Sequence, residues 1–282
     1  MRTLGKILVA ATSLAVTLAP AAAREAAHAA RALKPVTWGL EQPSARKARD
    51  QQVALAPAHA AAAAKALPRL PSSRPAEIVI DVLVAYTQKA AQHYYDIERE
   101  VVELSIEQAN HSFRLSGIGH IRLRLVHAFQ TGYVERGGHF EHVWHMADGD
   151  DEHMEHIHAM REAYRADIAV LIVDDAEGCG LATRIGADAD EAFAVVHHGC
   201  AVANYTVAHE IGHILGARHE LAYVSGTSWR DIMSYKNACG SCPRLPIWSN
   251  PLVLIGGEPA GTQELNNAAI IAANAWRVAS FR

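Results

Sequence analysis

From Glu77 onward, apolar positions recur in two rhythms. EIVIDVLVAYT (77–87) is a nearly continuous β-branched run suited to a strand buried on both faces, and DIAVLIVDD (167–175) repeats the pattern. HIRLRLVHAF (120–129) alternates apolar and basic residues, as a strand with one wet face does. Tyr95, Ile97, Val101, Leu104, Ile106 and Ala109 fall at roughly helical spacing and predict one long amphipathic helix over 88–116. DDEHMEHIHAMREAYRA (150–166) predicts a second helix; GLATRIG (180–186) and AFAVVHH (192–198) predict short strands. The body is therefore expected to be mixed α/β (α+β), with a twisted mixed sheet and two long helices.

The first 76 residues follow neither rhythm. Arg2 and Lys6, an apolar run from Ile7 to Leu18 and Ala21-Ala22-Ala23 have the anatomy of a secretory signal peptide over 1–23, which predicts a secreted or periplasmic protein. Thr12, Ser13 and Thr17 interrupt that run and Pro20 follows it, which disfavours a membrane anchor. No later stretch is apolar and long enough to span a bilayer, so no membrane partner is expected after signal removal. Residues 24–76, rich in Ala, Pro and basic residues, read as a propeptide or linker preceding a catalytic domain at 77–282. Charge divides the chain at the same place: 11 Lys+Arg against 3 Asp+Glu up to Ala76, leaving 15 against 27 thereafter. The basic leader either lies on the acidic body or is a disordered tail. All four cysteines, Cys179, Cys200, Cys239 and Cys242, belong to the body. In an exported chain they favour two disulfides; of three connectivities, Cys179–Cys200 with Cys239–Cys242 is preferred.

Chemistry concentrates in HEIGHILGARHE (209–220). On a helix, His209 and His213 differ by about 40° of rotation and about 6 Å of rise, so both imidazoles share a face. His219 on the same straight helix would lie about 15 Å from His209, so the chain must turn back. Gly216 stands where the turn is needed, and glycine ends a helix in the left-handed conformation without a Cβ penalty. Three neutral imidazoles leave Zn²⁺ an open position, the mark of a catalytic site. Glu210 is then placed as general base for an activated water, which predicts peptide hydrolysis without a covalent intermediate.

H-E-x-x-H-x-x-G-x-x-H followed by a Met-turn is the metzincin signature. DIMSY (231–235) supplies the turn, with Met233 as an apolar floor fourteen residues after His219. Tyr235 resembles the tyrosine that astacins and serralysins swing onto or off the metal. DVLVAYT, ANHSFRLSGIGHIRLRLVHAF, GCGLA, DIMSY, CPRLPIWSNP and ELNNAAIIAANAW extend the resemblance from about residue 77 to the C-terminus. The body is similar to secreted reprolysin-like metalloproteases and, more narrowly, to bacterial peptidyl-Asp metalloendopeptidases. The resemblance implies a zincin-like catalytic domain with a cleft, a smaller C-terminal subdomain and a final helix. It also implies that 180–186 is an edge strand that pairs with an extended polypeptide substrate. Cleavage on the amino side of acidic residues requires a cation in the pocket beyond the scissile bond; Arg244 is the candidate, with Lys236 and Arg230 behind it. Glu220 departs from the reprolysin-like pattern, which has Asp there, and matches the astacin habit.

HFEHVWHMADGDDEHMEHIH (139–158) carries six histidines and six acids. His153 with His156, or Glu152 with His156, could share a helix face toward a second metal, although a wet polar face suits the segment better. His197 and His198 lie outside the motif and read as structural or rim residues. Ca²⁺ has no EF-hand-like loop to support it. Latency through a leader cysteine is excluded, since residues 1–178 contain none. Nothing basic or aromatic in the body suggests a nucleic-acid groove, and a monomer is expected. Two rival readings are a non-catalytic binding module docking through its edge strand and a structural zinc protein. The first has no use for Glu210, and the second none for an open coordination position.

Overall fold

The computed structural model describes residues 76–149, 152–226 and 228–282. The expected signal peptide and nearly all of the expected propeptide or linker lie outside the described residues. Five strands form the central sheet: β1 (Ile78–Thr87), β2 (Ile121–Thr131), β3 (Ile168–Val173), β4 (Gly180–Ala182) and β5 (Phe193–His197). Their order is β2-β1-β3-β5-β4. The first four strands in that order run parallel, and β4 closes the edge antiparallel to β5. The expected mixed sheet is thus present.

Alternation along β1 explains why its run is apolar apart from Asp81, which pairs with Arg124 of β2. Ile80, Val82 and Val84 enter one core, with α1 (Leu104–Leu115), the later helix α4 (Thr206–Ile214) and the C-terminal helix α5 (Asn267–Val278). Leu83 and Ala85 enter the other, beneath α2 (His139–Asp148) and α3 (Glu152–Ala163). A strand covered on both faces has no wet side to mark with polar residues. Two two-stranded ribbons follow α4: β6 (Val224–Ser225) with β7 (Trp229–Arg230), and β8 (Asn250–Ile255) with β9 (Glu258–Ala260). No helix among the described residues is long and apolar enough to cross a membrane.

The helix expected over 88–116 is interrupted. One turn, Gln88–Ala91, ends early; helix resumes as a π-helical stretch, Glu98–Glu103, that runs into α1. Asp96 makes the restart: its Oδ1 accepts from the Arg99 amide at 3.1 Å, while Glu100 accepts from the Asp96 amide at 2.8 Å. This reciprocal capping is legible as D-x-x-x-E once the break is known. The helix expected over 150–166 is present as α3, and an unforeseen helix, α2, precedes it, with Gly149 in the left-handed conformation at its C-terminus.

Trp248 ties α4 to α1. It is fully buried, its indole N–H donates to Ser112 Oγ at 2.9 Å, and its amide donates to Ser116 Oγ at 2.8 Å. The ring lies so close to α4 that a Cβ on Gly212 would stand 2.3 Å from it. Gly212, the x before His213, is therefore a packing requirement. Gly212→Ala should lower stability by about 1–3 kcal/mol, the usual cost of overpacking a core. A urea unfolding midpoint equal to that of the wild type would show that the ring has room to move.

Candidate active site

All three motif histidines are buried and converge. Ring centroids of His209, His213 and His219 lie 4.9–5.1 Å apart, and one ligand atom from each falls within 4.8 Å of the others. His209 and His213 come from α4; His219 arrives after the chain reverses at Gly216, whose φ is +95°. The reversal is a Schellman turn: the Gly216 amide donates to the His213 carbonyl and the Ala217 amide to the Gly212 carbonyl, both at 2.8 Å. Asn267, the first residue of α5, then pins the next residue. It accepts from the Arg218 amide at 2.8 Å and donates to the Arg218 carbonyl at 3.0 Å.

Each imidazole is oriented by a main-chain carbonyl. Nδ1 of His209 bonds to Ile232 and Nδ1 of His213 to Ala217, both at 2.9 Å; Nδ1 of His219 bonds to Met233. A carbonyl can only accept, so each Nδ1 carries the proton and each Nε2 presents a lone pair. Burial holds the rings neutral, His209 well below its ordinary range, His213 at about 3 and His219 at about 4. This donor set, three neutral nitrogens at ligand spacing with fixed tautomers, fits a zinc ion.

Glu210 lies beside the triad against the sheet edge. Burial pushes its carboxyl up to about 8, opposed by the Ala182 amide that bonds to it and by the charge of Arg244. A Cβ on Gly180 would come within 2.7 Å of Glu210 Oε1, so β4 admits the carboxylate only because that residue is glycine. Glu210 Oε2 is buried and has no hydrogen-bond partner among the described residues.

Met233 is fully buried in the turn after Asp231, and its carbonyl faces His219 Nδ1. Asp231, which the sequence reading did not single out, builds that turn. Its Oδ1 accepts from Ser234 Oγ at 2.7 Å and its Oδ2 from the Tyr223 amide at 3.0 Å. Glu220 is exposed, so the buried carboxylate that gathers donors beside the site is Asp231. Tyr235 is half-exposed and stacks on the His219 ring, with centroids 4.6 Å apart. Arg244 donates to the carbonyls of Asn204 and Ser234 at 2.9 Å each, and burial lowers its pKa to about 10. Arg230 also bonds to the Ser234 carbonyl, whereas Lys236 is exposed. The disulfides are Cys179–Cys200 and Cys239–Cys242. Among the described residues, neither His153 nor His156 belongs to a group of three metal-competent side chains; the first lies against Gly132 and the second edge-on to Phe129.

Residues 76–247 match the model of metallo-peptidase family M12. The chain belongs to that family. Among curated relatives, the peptidyl-Asp metalloendopeptidase of Xanthomonas campestris pv. campestris is 36% identical over 218 residues, which cover 72% of this chain and 52% of that protein. The peptidyl-Asp metalloendopeptidase of Stenotrophomonas maltophilia strain R551-3 is 34% identical over 221 residues, with the same coverage. The chain thus spans about half the length of the curated relatives it matches. A solved chain titled "Structure of a chaperone-substrate complex" superposes with a TM-score of 0.61 at 19% identity, over 73% of this chain and 35% of the other, a likeness of fold alone.

The raised pKa of Glu210 has a measurable consequence in metal-free protein. The folded state holds that proton more tightly than the unfolded chain, so the contribution to stability is full below about 4.5 and is lost as pH rises toward about 8. Glu210→Gln removes the titration. With chelator present, its stability relative to wild type should rise between pH 5 and pH 8 by on the order of a few kcal/mol. Parallel urea midpoints for the two proteins across that range would contradict the assignment.

Proposed function

We propose that this M12 chain is an exported zinc endopeptidase, with His209, His213 and His219 as ligands and Glu210 as general base. The observation that carries the reading is the pairing of three tautomer-fixed, neutral imidazoles with one buried carboxylate. Bound zinc would supply an acidified water and a Lewis acid for the scissile carbonyl. The chain's own groups do the rest. Glu210, buried beside the triad and ionised next to the bound cation, takes a proton from the attacking water and delivers it to the leaving amide nitrogen. The β4 edge offers main-chain groups for an extended substrate beside Glu210. Met233 closes the site from below, and Tyr235, stacked on the His219 ring, is the residue that would swing onto or off the metal.

Arg244 is the cation for an acidic residue on the leaving side. Its guanidinium is partly dehydrated and close enough to Glu210, His209 and His219 to act on their titration. The two carbonyls it binds use part of its five-donor fork, and the remaining donors can meet a carboxylate. The names of the curated relatives support the same substrate class. A non-catalytic binding module with this fold would gain nothing from burying Glu210 at a cost in stability.

Glu210→Gln should retain zinc while losing at least about a hundredfold in casein hydrolysis, within the span typical of general acid–base catalysis. Full activity in that variant would exclude the base. Arg244→Ala should depress kcat/KM for Asp-containing peptides about ten- to a hundredfold more than for Ala-containing ones, the equivalent of one charge-assisted bond. Equal losses on both peptides would remove Arg244 from specificity and leave it a scaffold for Ser234.

A further inference from the structure

Three adjacent parallel strands, β1, β3 and β5, end on the same side of the sheet, and each is followed closely by a metal-competent side chain. His93 comes after β1, Asp174 directly after β3 and His198 directly after β5. Nε2 of His93 and Nε2 of His198 each lie 2.9 Å from the same oxygen, Oδ1 of Asp174. The three ligand atoms fall within 4.8 Å of one another, and the two rings stack with centroids 4.2 Å apart. We propose that this cluster is a second metal site, holding a divalent transition ion of the zinc type outside the catalytic triad.

Two imidazoles and one carboxylate select a borderline ion such as Zn²⁺ over Ca²⁺ or Mg²⁺. A tetrahedral ion with ligands at about 2.0–2.1 Å needs donors roughly 3.3 Å apart, a small outward shift for the two nitrogen–oxygen pairs, which stand at 2.9 Å. The surroundings already provide orientation. Tyr94 Oη stands 2.9 Å from His198 Nδ1; by accepting from that nitrogen it leaves Nε2 a lone pair. The buried Glu135 accepts from the Asp174 amide at 3.0 Å and from Thr87 Oγ, fixing the backbone that carries the carboxylate. Lys89 approaches the other Asp174 oxygen at 3.6 Å, but its side chain is 60% exposed and can withdraw from an incoming dication. The neighbouring group of His139, Asp175 and Glu177 differs in kind: Glu177 accepts from the His139 amide at 3.0 Å and caps α2.

The site would tie three strand ends together at the start of the segment that leads into α4. His198 opens the turn His198–Ala201, Cys200 in that turn is bridged to Cys179, and α4 begins at Thr206. A metal here braces the entry to the catalytic helix without touching the reacting atoms.

The test is zinc content of the full chain after saturation with Zn²⁺ and gel filtration, measured by elemental mass spectrometry. The His93→Ala/His198→Ala variant should hold one equivalent fewer than wild type, whatever the triad binds. His93→Gln, at a half-exposed position that should not disturb folding, should lose the same equivalent in competition with a chromophoric chelator. Equal zinc in wild type and both variants would overturn the proposal and leave the cluster a set of hydrogen bonds around Asp174.

Discussion

The site depends on one recurring interaction, an imidazole N–H given to a main-chain carbonyl. His209, His213 and His219 each make it, and the acceptors come from two turns: Ala217 from the reversal after α4, Ile232 and Met233 from the turn after Asp231. A side chain with two ring torsions is fixed only when something rigid holds its far nitrogen. Here both holders are turns that are themselves over-determined, one by the left-handed Gly216 and Asn267, the other by Asp231 and Ser234. The Met-turn therefore supplies two of the three acceptors.

The sheet contributes through its edge. Four parallel strands make the scaffold, and the antiparallel β4 carries Gly180 and Ala182 against Glu210. A carboxylate so placed is costly, because burial favours its neutral form. Trp248 sets the remaining distance by wedging between α1 and Gly212, so the helix bearing His209, Glu210 and His213 sits at a fixed height above the sheet.

Local rhythm was informative where one element decides its own environment. β1, β2, β3 and the position of α4 were readable because burial of a strand or a helix face imposes a period on the residues. The rhythm misled over 88–116, where Asp96 and Glu100 cap a new start inside an apolar pattern that continues across the break. It also ran α3 on past its end at Ala163 and missed α2, whose buried Val143 and Met146 stand at helical spacing among histidines and acids. Asp231, Asn267 and Ser234 were invisible for another reason. Each acts by bonding to the backbone of a segment distant in sequence or across a turn, and no spacing encodes that.

What the sequence determined by itself was the chemistry of the metal motif: two histidines one helical turn apart, a glutamate between them and a glycine where the helix must stop. Helix geometry and glycine's freedom at positive φ are local properties, so twelve residues suffice to state them. Only the tertiary structure decided which nitrogen each histidine presents, how dry Glu210 is, and what Arg244 holds. It also decided that His93, Asp174 and His198, spread over more than a hundred residues, share one end of the sheet. These follow from how parallel strands and distant turns pack together, and contacts of that range are not written in any short window of the chain.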